Sequence, residues 1–271
     1  MTPEDFTYLS ELLKEQTGIS LSEDKSYILE SRLMVVVRAF NLGGISDLVA
    51  LLKQGDSEIM EAFTETLAVN ETMFFHDIVA FSHLEEMVFP FFLKNKRQGE
   101  AIRILCAGCS SGQEPYSIAM LVKDFLEKNP ALKVEIIAID ISSAMLSKAE
   151  GGIYTQFDVQ RGLPIRMLLK NFTKKDGAWH INDDIKQMVT FKKLNLLGDL
   201  TSLGKFDIIF CRYLIKHFDI VLKPLILDKL ADIMNPDGLL FLGEGETTLG
   251  LSEFFKSIVK SVPYLFQKVS G

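Results

Sequence analysis

The sequence predicts an α/β protein: a doubly wound, mostly parallel sheet, preceded by an all-helical N-terminal domain and interrupted by a small antiparallel β insertion. Three observations predict it. Residues 1–77 repeat apolar positions at helical spacing. From residue 102, short apolar runs alternate with amphipathic stretches, as β-α-β units require. Charge divides the same way: 14 Asp and Glu face 5 Lys and Arg in residues 1–77, against 22 and 24 in residues 78–271. The expected domains are therefore 1–77 and 78–271, with a β-subdomain at about 168–193.

Taken in order, residues 1–77 read as helix throughout. "TPEDFTYLSELLKEQTG" offers Thr2 as N-cap, Pro3 at the first helical position and acids in the first turn, then apolar Phe6, Leu9, Leu12 and Leu13 before Gly18. "KSYILESRLMVVVRAFNLGG", "ISDLVALLKQG" and "SEIMEAFTETLAVN" follow the same pattern. In the second region "AIRILCAG" is a first strand, "PYSIAMLVKDFLEKN" a helix with Pro115 in its first turn, "KVEIIAID" a second strand and "SSAMLSKAEGG" a helix closing on paired glycines. "FDIIFCR", "KPLILDKLADIMN" and "GLLFLGEGE" repeat strand, helix and strand. Between them "NFTKKDGAWHIN" sets Asp176-Gly177 between two short strand-like runs, the signal of a tight hairpin.

Composition narrows the function. Across 271 residues, 48% are hydrophobic and 24% charged, an ordinary globular balance. No apolar run approaches the ~20 residues of a membrane span, and "MTPEDFTYLS" lacks the basic and apolar regions of a secretory signal, so a cytoplasmic protein without membrane insertion is expected. A net charge of −7 argues against nucleic acid as partner. Three cysteines make no disulfide framework and suit a reducing compartment.

The stretch "CAGCSSGQEPYS" (106–117) carries the chemistry. Its cysteine pair could join a metal site, but zinc needs four ligands, and only Cys211 and four scattered histidines, His76, His83, His180 and His217, remain to complete one. No metal is expected. A redox pair would have no use for the glycine-serine loop that follows. Cys106 and Cys109 read better as small residues packed at a strand end. Gly108 and Gly112 allow a sharp strand-to-helix turn and close approach of a ligand. With two glycines rather than three, the loop suits an adenosine-bearing cofactor without phosphates, S-adenosylmethionine. Asp140, at the tip of the second strand, is placed to accept hydrogen bonds from ribose hydroxyls, or to cap the next helix as Ser142 could.

Several segments carry a family resemblance: "NETMFFHD" (70–77), "ILCAGCSSGQEPYSIAM" (104–120), "IAIDISSAMLSKAEGGIY" (137–154), "FKKLNLL" (191–197), "FDIIFCRYLIKHFD" (206–219) and "PDGLLFLGEGET" (236–247). The sequence resembles the chemotaxis receptor glutamate methyltransferases of CheR type. The resemblance implies a methyltransferase (Rossmann-like) sheet with a helical N-terminal domain. It implies methyl transfer from S-adenosylmethionine, leaving S-adenosylhomocysteine, to glutamates on the cytoplasmic domains of chemoreceptors, by a monomer. It also implies that Asn70 and Thr72 contact the cofactor's amino-acid end with Glu114 in the same pocket, and that Asp140 holds the ribose. Asn195 and Leu196 would flank the adenine, while Gly108, Arg212 and Tyr213 would line the site. Lys25, Arg32 and Arg38, spaced roughly every seven residues, would form a basic stripe for an acidic receptor helix, or else a solvated face.

The family pattern has Arg where this chain has His76, Asn where it has Tyr213, an apolar residue where it has Lys216 and Tyr where it has His217. A protein that binds the cofactor or its demethylated product without turnover, or a methyltransferase acting on another protein carboxylate, is the competing reading. His76 and His217 are expected either as satisfied pocket histidines or as catalytic-site groups whose protonation alters the site near pH 6.5. In the second case, methyl transfer at saturating cofactor varies across pH 5.5 to 7.5 more than in a relative carrying Arg and Tyr there, and a flat rate excludes it.

Overall fold

The computed structural model describes residues 1–96, 99–258 and 262–269. They form two compact units, one of residues 1–69 with 216–225 and one of residues 70–215 with 226–271.

The first unit is built on helices α1 (Pro3–Thr17), α2 (Ser26–Ala39), α3 (Ile45–Lys53) and α4 (Ser57–Leu67). The α1 signals act as the sequence predicts. Thr2 and Asp5 close a reciprocal capping box, and Gly18 ends the helix in the left-handed region at φ 77°. Phe6, Leu9, Leu12 and Leu13 join Leu29, Leu33, Leu48 and Phe63 in one buried core, the apolar faces that each helix cannot hide alone. Residues from late in the chain complete the unit. Ile19 bridges Phe218, the Asp219 N–H donates to the Gly18 carbonyl at 2.9 Å, and Lys14 pairs with Asp219 at 2.9 Å.

The second unit begins earlier than residue 78 and without a helix. Residues 70–77 have no helical hydrogen bonding, which corrects the expectation of helix throughout 1–77. Their apolar pair packs into the second core instead, with Phe74 fully buried against the Tyr154 and Phe172 rings. Helix α5 (Ile78–His83) runs through a π-type turn at Leu84–Val88 into α6 (Phe89–Asn95). Pro90 lies just beyond that turn, and a proline cannot donate into the regular helical ladder.

Alternation then sets the topology. Strand β1 (Ala101–Ala107) leads to α7 (Gln113–Lys128), β2 (Lys133–Asp140), α8 (Ser143–Gly151) and a short β3 (Ile153–Tyr154). Helices α9 (Gln156–Gln160) and α10 (Ile165–Asn171) precede the hairpin β4 (Phe172–Lys175) and β5 (Ala178–Ile181). After α11 (Asp183–Lys186) come β6 (Val189–Lys193), β7 (Phe206–Phe210), α12 (Leu222–Asp232), β8 (Met234–Phe241), β9 (Phe255–Ser257) and β10 (Leu265–Lys268). Seven strands make one sheet in the order β6-β2-β1-β7-β8-β10-β9, parallel through β8, with β10 and β9 antiparallel at the edge. The chain winds both ways from β1, so β1, β2 and β7 end side by side at a switch point, where such sheets bind ligands.

The insertion is antiparallel as predicted, in the order β3-β5-β4, and its hairpin turns through Asp176 (φ 50°) and Gly177 (φ 80°). Its extent differs from 168–193: Ile153–Tyr154 belongs to it, whereas Val189–Lys193 pairs with β2 in the large sheet. The run "IMN" leaves the predicted helix, Ile233 turning the chain and Met234 opening β8, whose pairing with β7 shifts register near Pro236 and Asp237. Among the described residues no helix is long and apolar enough to cross a membrane.

Gly162 (φ 82°) passes so close to Phe74 that an added Cβ would lie 2.0 Å from the Phe74 carbonyl oxygen, whereas Gly177 has nothing within 4 Å. Gly177→Ala is expected to lose about the ~1–2 kcal/mol of left-handed backbone alone. Gly162→Ala should lose clearly more in chemical denaturation, and equal losses would remove the close approach.

Candidate active site

The loop after β1 is held by its own backbone and by the neighbouring strand. The Gly108 and Cys109 N–H groups both donate to the Ile139 carbonyl, at 2.9 and 3.0 Å. Gly108, Ser110 and Gly112 all have positive φ. The Asp140 carboxylate ties the loop to the next element: Oδ2 accepts from the Ser110 N–H at 2.7 Å and Oδ1 from the Ser142 N–H at 2.9 Å. The Asp140 carboxylate therefore braces the loop, and the cap of α8 is Ser142, which accepts from the Met145 N–H at 3.0 Å.

At both glycines of the loop an added side chain would also meet protein atoms. A Cβ on Gly112 would meet Ala149 Cβ at 2.9 Å and the Tyr154 hydroxyl at 3.1 Å, and one on Gly108 would meet the Leu214 side chain at 2.7 Å. Tyr154 and Tyr116 fix this contact, donating to the Ser111 and Ala149 carbonyls at 2.8 Å each. Cys106, Cys109 and Cys211 are buried free thiols, and burial pushes all three well above the ordinary thiol range. Among the described residues no group of His, Cys, Asp and Glu is placed to hold a metal.

Segment 70–77 is pinned to this loop. Ser110 Oγ donates to the Asn70 carbonyl at 2.8 Å, and the Phe75 N–H donates to Ser117 Oγ at 3.0 Å. Asp77 reaches the tip of β7, where its Oδ2 accepts from Arg212 Nη2 at 2.8 Å and from the Tyr213 hydroxyl. Arg212 Nη1 donates to Glu114 Oε2 at 3.3 Å from the first turn of α7. Burial raises the Glu114 carboxyl above its usual value. Arg212 beside it pulls downward without cancelling that rise, and Glu246 adds to it. Glu246 Oε2 receives the Tyr213 and Gly243 N–H groups at 2.8 and 2.7 Å. His76 and Tyr213 meet edge to face at 4.3 Å between ring centres, with His76 Nδ1 3.7 Å from Asp77 Oδ2.

The structure thus gathers Asn70, Thr72, His76, Gly108, Glu114, Asp140, Arg212 and Tyr213 within one unit, most of them joined through hydrogen bonds. Asn195 and Leu196 follow directly on the end of β6, where the Leu194 N–H donates to the Asp140 carbonyl at 2.9 Å. Asn195 Oδ1 accepts from the Leu197 N–H at 2.9 Å, and Leu196 is buried. Among the described residues of the site, Asn70 Oδ1, an acceptor, and Arg212 Nε, a donor, are buried without a hydrogen-bond partner in the protein. Such orphans fit a zwitterionic amino-acid group, whose ammonium and carboxylate supply one of each. Sequence reasoning missed Asp77, Ser110, Ser117 and Glu246. All four stood in quoted motifs, but nothing local marks which oxygen turns inward.

The remaining predicted residues lie in the first unit. Lys25, Arg32 and Arg38 do not share a face: Lys25 ends a 3₁₀ turn before α2, and six residues at 100° each put Arg38 about 120° around from Arg32. Arg32 Nη1 also donates to the Leu67 carbonyl at 3.5 Å. Lys25 instead belongs with Lys216 and Lys223 around half-buried His217.

The fold and the pocket together define an S-adenosylmethionine-dependent methyltransferase. Residues 70–262 match the family described as "CheR methyltransferase, SAM binding domain", and residues 4–68 match "CheR methyltransferase, all-alpha domain". The chain belongs to the CheR methyltransferase family. It is 37% identical over 262 residues to the "Chemotaxis protein methyltransferase" of Vibrio anguillarum, covering 95% of this chain and 94% of the relative. It is 34% identical over 268 residues to "Chemotaxis protein methyltransferase Cher2" of Pseudomonas putida, covering 97% of each. A Borreliella burgdorferi chemotaxis protein methyltransferase shares 32% over 257 residues, 92% of this chain and 90% of that one.

Burial, with Lys216, Lys25 and Lys223, holds the His217 imidazole below its ordinary value. The unfolded chain then binds more protons between that lowered pKa and ~6.5, so stability falls as pH drops through this window. His217→Gln is expected to shrink the difference in thermal midpoint between pH 7.5 and 5.5. An unchanged difference assigns the acid loss to other groups.

Proposed function

We propose that this chain methylates glutamate side chains on the cytoplasmic domains of chemoreceptors, using S-adenosylmethionine, and so serves adaptation in chemotaxis from the cytoplasm as a monomer. The observation that carries the reading is the pairing of the Asp140-held loop with the two orphaned polar atoms, Asn70 Oδ1 and Arg212 Nε, in a family of methyltransferases.

The cofactor would bring an activated methyl group on a sulfonium sulfur. Asp140 would accept from its ribose hydroxyls, Arg212 Nε–H would meet its carboxylate and Asn70 Oδ1 its ammonium. Thr72, Gly108 and Glu114 would line the same site, with Asn195 and Leu196 beside the base. The chain need supply no general base, because a glutamate with a pKa of about 4.3 is ionised at neutral pH. Its work is to align the reactants and exclude water, effects worth ~7–11 kcal/mol when geometry is right. The buried thiols stay protonated and do not compete for the methyl group. His76 acts in this reading through its contact with Tyr213, and His217 beside Lys216 and Lys223 marks where an acidic substrate would be drawn. Lys25 is assigned to substrate with them.

Tritiated methyl transfer to receptor-containing membranes, with base-labile release as methanol, tests the proposal. Labelling is expected, and a Lys25→Glu, Lys223→Glu double variant should label at least severalfold more slowly, with a weakened salt dependence, while binding S-adenosylhomocysteine as before. Cofactor binding without labelling would overturn the enzymatic reading and leave a regulator that binds without turnover.

A further inference from the structure

Arg212 is an enclosed charge at the heart of the site: its side chain is 2% exposed, and its guanidinium lies over the Phe81 and Tyr213 rings at 5.6 and 5.3 Å. A buried guanidinium must have its fork satisfied on fixed acceptors. Glu114 takes Nη1, and Asp77, half exposed at the rim, takes Nη2 together with the Tyr213 hydroxyl. That leaves Nε–H, buried and without a protein acceptor.

The backbone is bent to make this junction. Phe75, Asp77 and Tyr213 all have left-handed φ, at 47°, 57° and 57°, although none is glycine. Such conformations persist where surrounding contacts impose them, and they gather at functional sites. Here Asp77 joins two segments 135 residues apart, and Glu246 grips the Tyr213 backbone N–H from the other side.

We propose that Asp77 is a positioning residue of the cofactor site. By fixing two donors of the Arg212–Tyr213 pair, its carboxylate turns the Arg212 Nε–H toward the anionic end of the bound cofactor. This rests on the cofactor reading above, and Asp77 itself need not touch the ligand. The strain at Asp77 and Tyr213 follows, because relaxing either residue would rotate the fork away.

Calorimetric titration of the full chain with S-adenosylhomocysteine tests it, alongside thermal melts. Asp77→Asn removes the charge that holds both donors, and is expected to weaken binding about 10- to 100-fold with little change in melting midpoint. Asp77→Glu should recover part of the loss. Arg212→Lys should weaken binding alone, and adding Asp77→Asn to it should add little, because Asp77 acts through Arg212. Tyr213→Phe, which keeps the Asp77–Arg212 pair, should lose less than Asp77→Asn and serves if that variant misfolds. Unchanged affinity in folded Asp77→Asn, or full additivity with Arg212→Lys, overturns the assignment while wild-type binding still supports the cofactor reading. Absence of binding by the wild type overturns both.

Discussion

Burying a guanidinium is the demand around which this site is arranged. Arg212 sits at the tip of a central strand, out of water, and its terminal nitrogens need acceptors brought by other parts of the chain. Glu114 arrives from the helix after the first strand and Asp77 from the segment ahead of the sheet. This explains why residues 70–77 leave the helical pattern before them: their acid and their two phenylalanines are both used by the second unit. It also explains the strained backbone, since segments distant in sequence must present oxygen atoms along directions that a planar fork dictates.

Much of the fold was legible because its signals are local. The Thr2 cap, the Gly18 stop and the Asp176-Gly177 hairpin depend on residues within a turn of one another, and all form as read. The alternation of strands and helices was equally plain, because a parallel sheet covered on both faces requires continuous apolar runs. Strands β9 and β10 were not legible: they are short, β10 pairs with β8 and β9 with β10 at the edge through tertiary contact, and "LFQK" alone has no distinctive period. The register shift around Pro236 was likewise invisible, since it depends on what β7 presents opposite.

The site divides in the same way. Asp140, Glu114, Asn70 and Arg212 were marked by position at strand tips and in motifs, but their partners were not. That Asp140 would spend both oxygens on the Ser110 and Ser142 amides follows from loop geometry. The glycines drew attention as places for ligand approach, yet the atoms that forbid a side chain there are Ala149, Tyr154 and Leu214. A glycine records that something lies close, and the sequence does not say what. The supposed basic stripe failed for a simpler reason, since a spacing of six residues does not return to the same side of a helix.

The helical unit is closed by a strand-like contact from residues 216–225, with Phe218 bridging Ile19 and Asp219 held by both Gly18 and Lys14. A ribosome releasing this chain from its N-terminus therefore exposes four amphipathic helices well before the piece that closes their unit has been made. Most of the parallel sheet emerges in the interval. The first segment to be synthesised is thus among the last to be finished, and a fragment cut cleanly at residue 69 would lack part of its own structure.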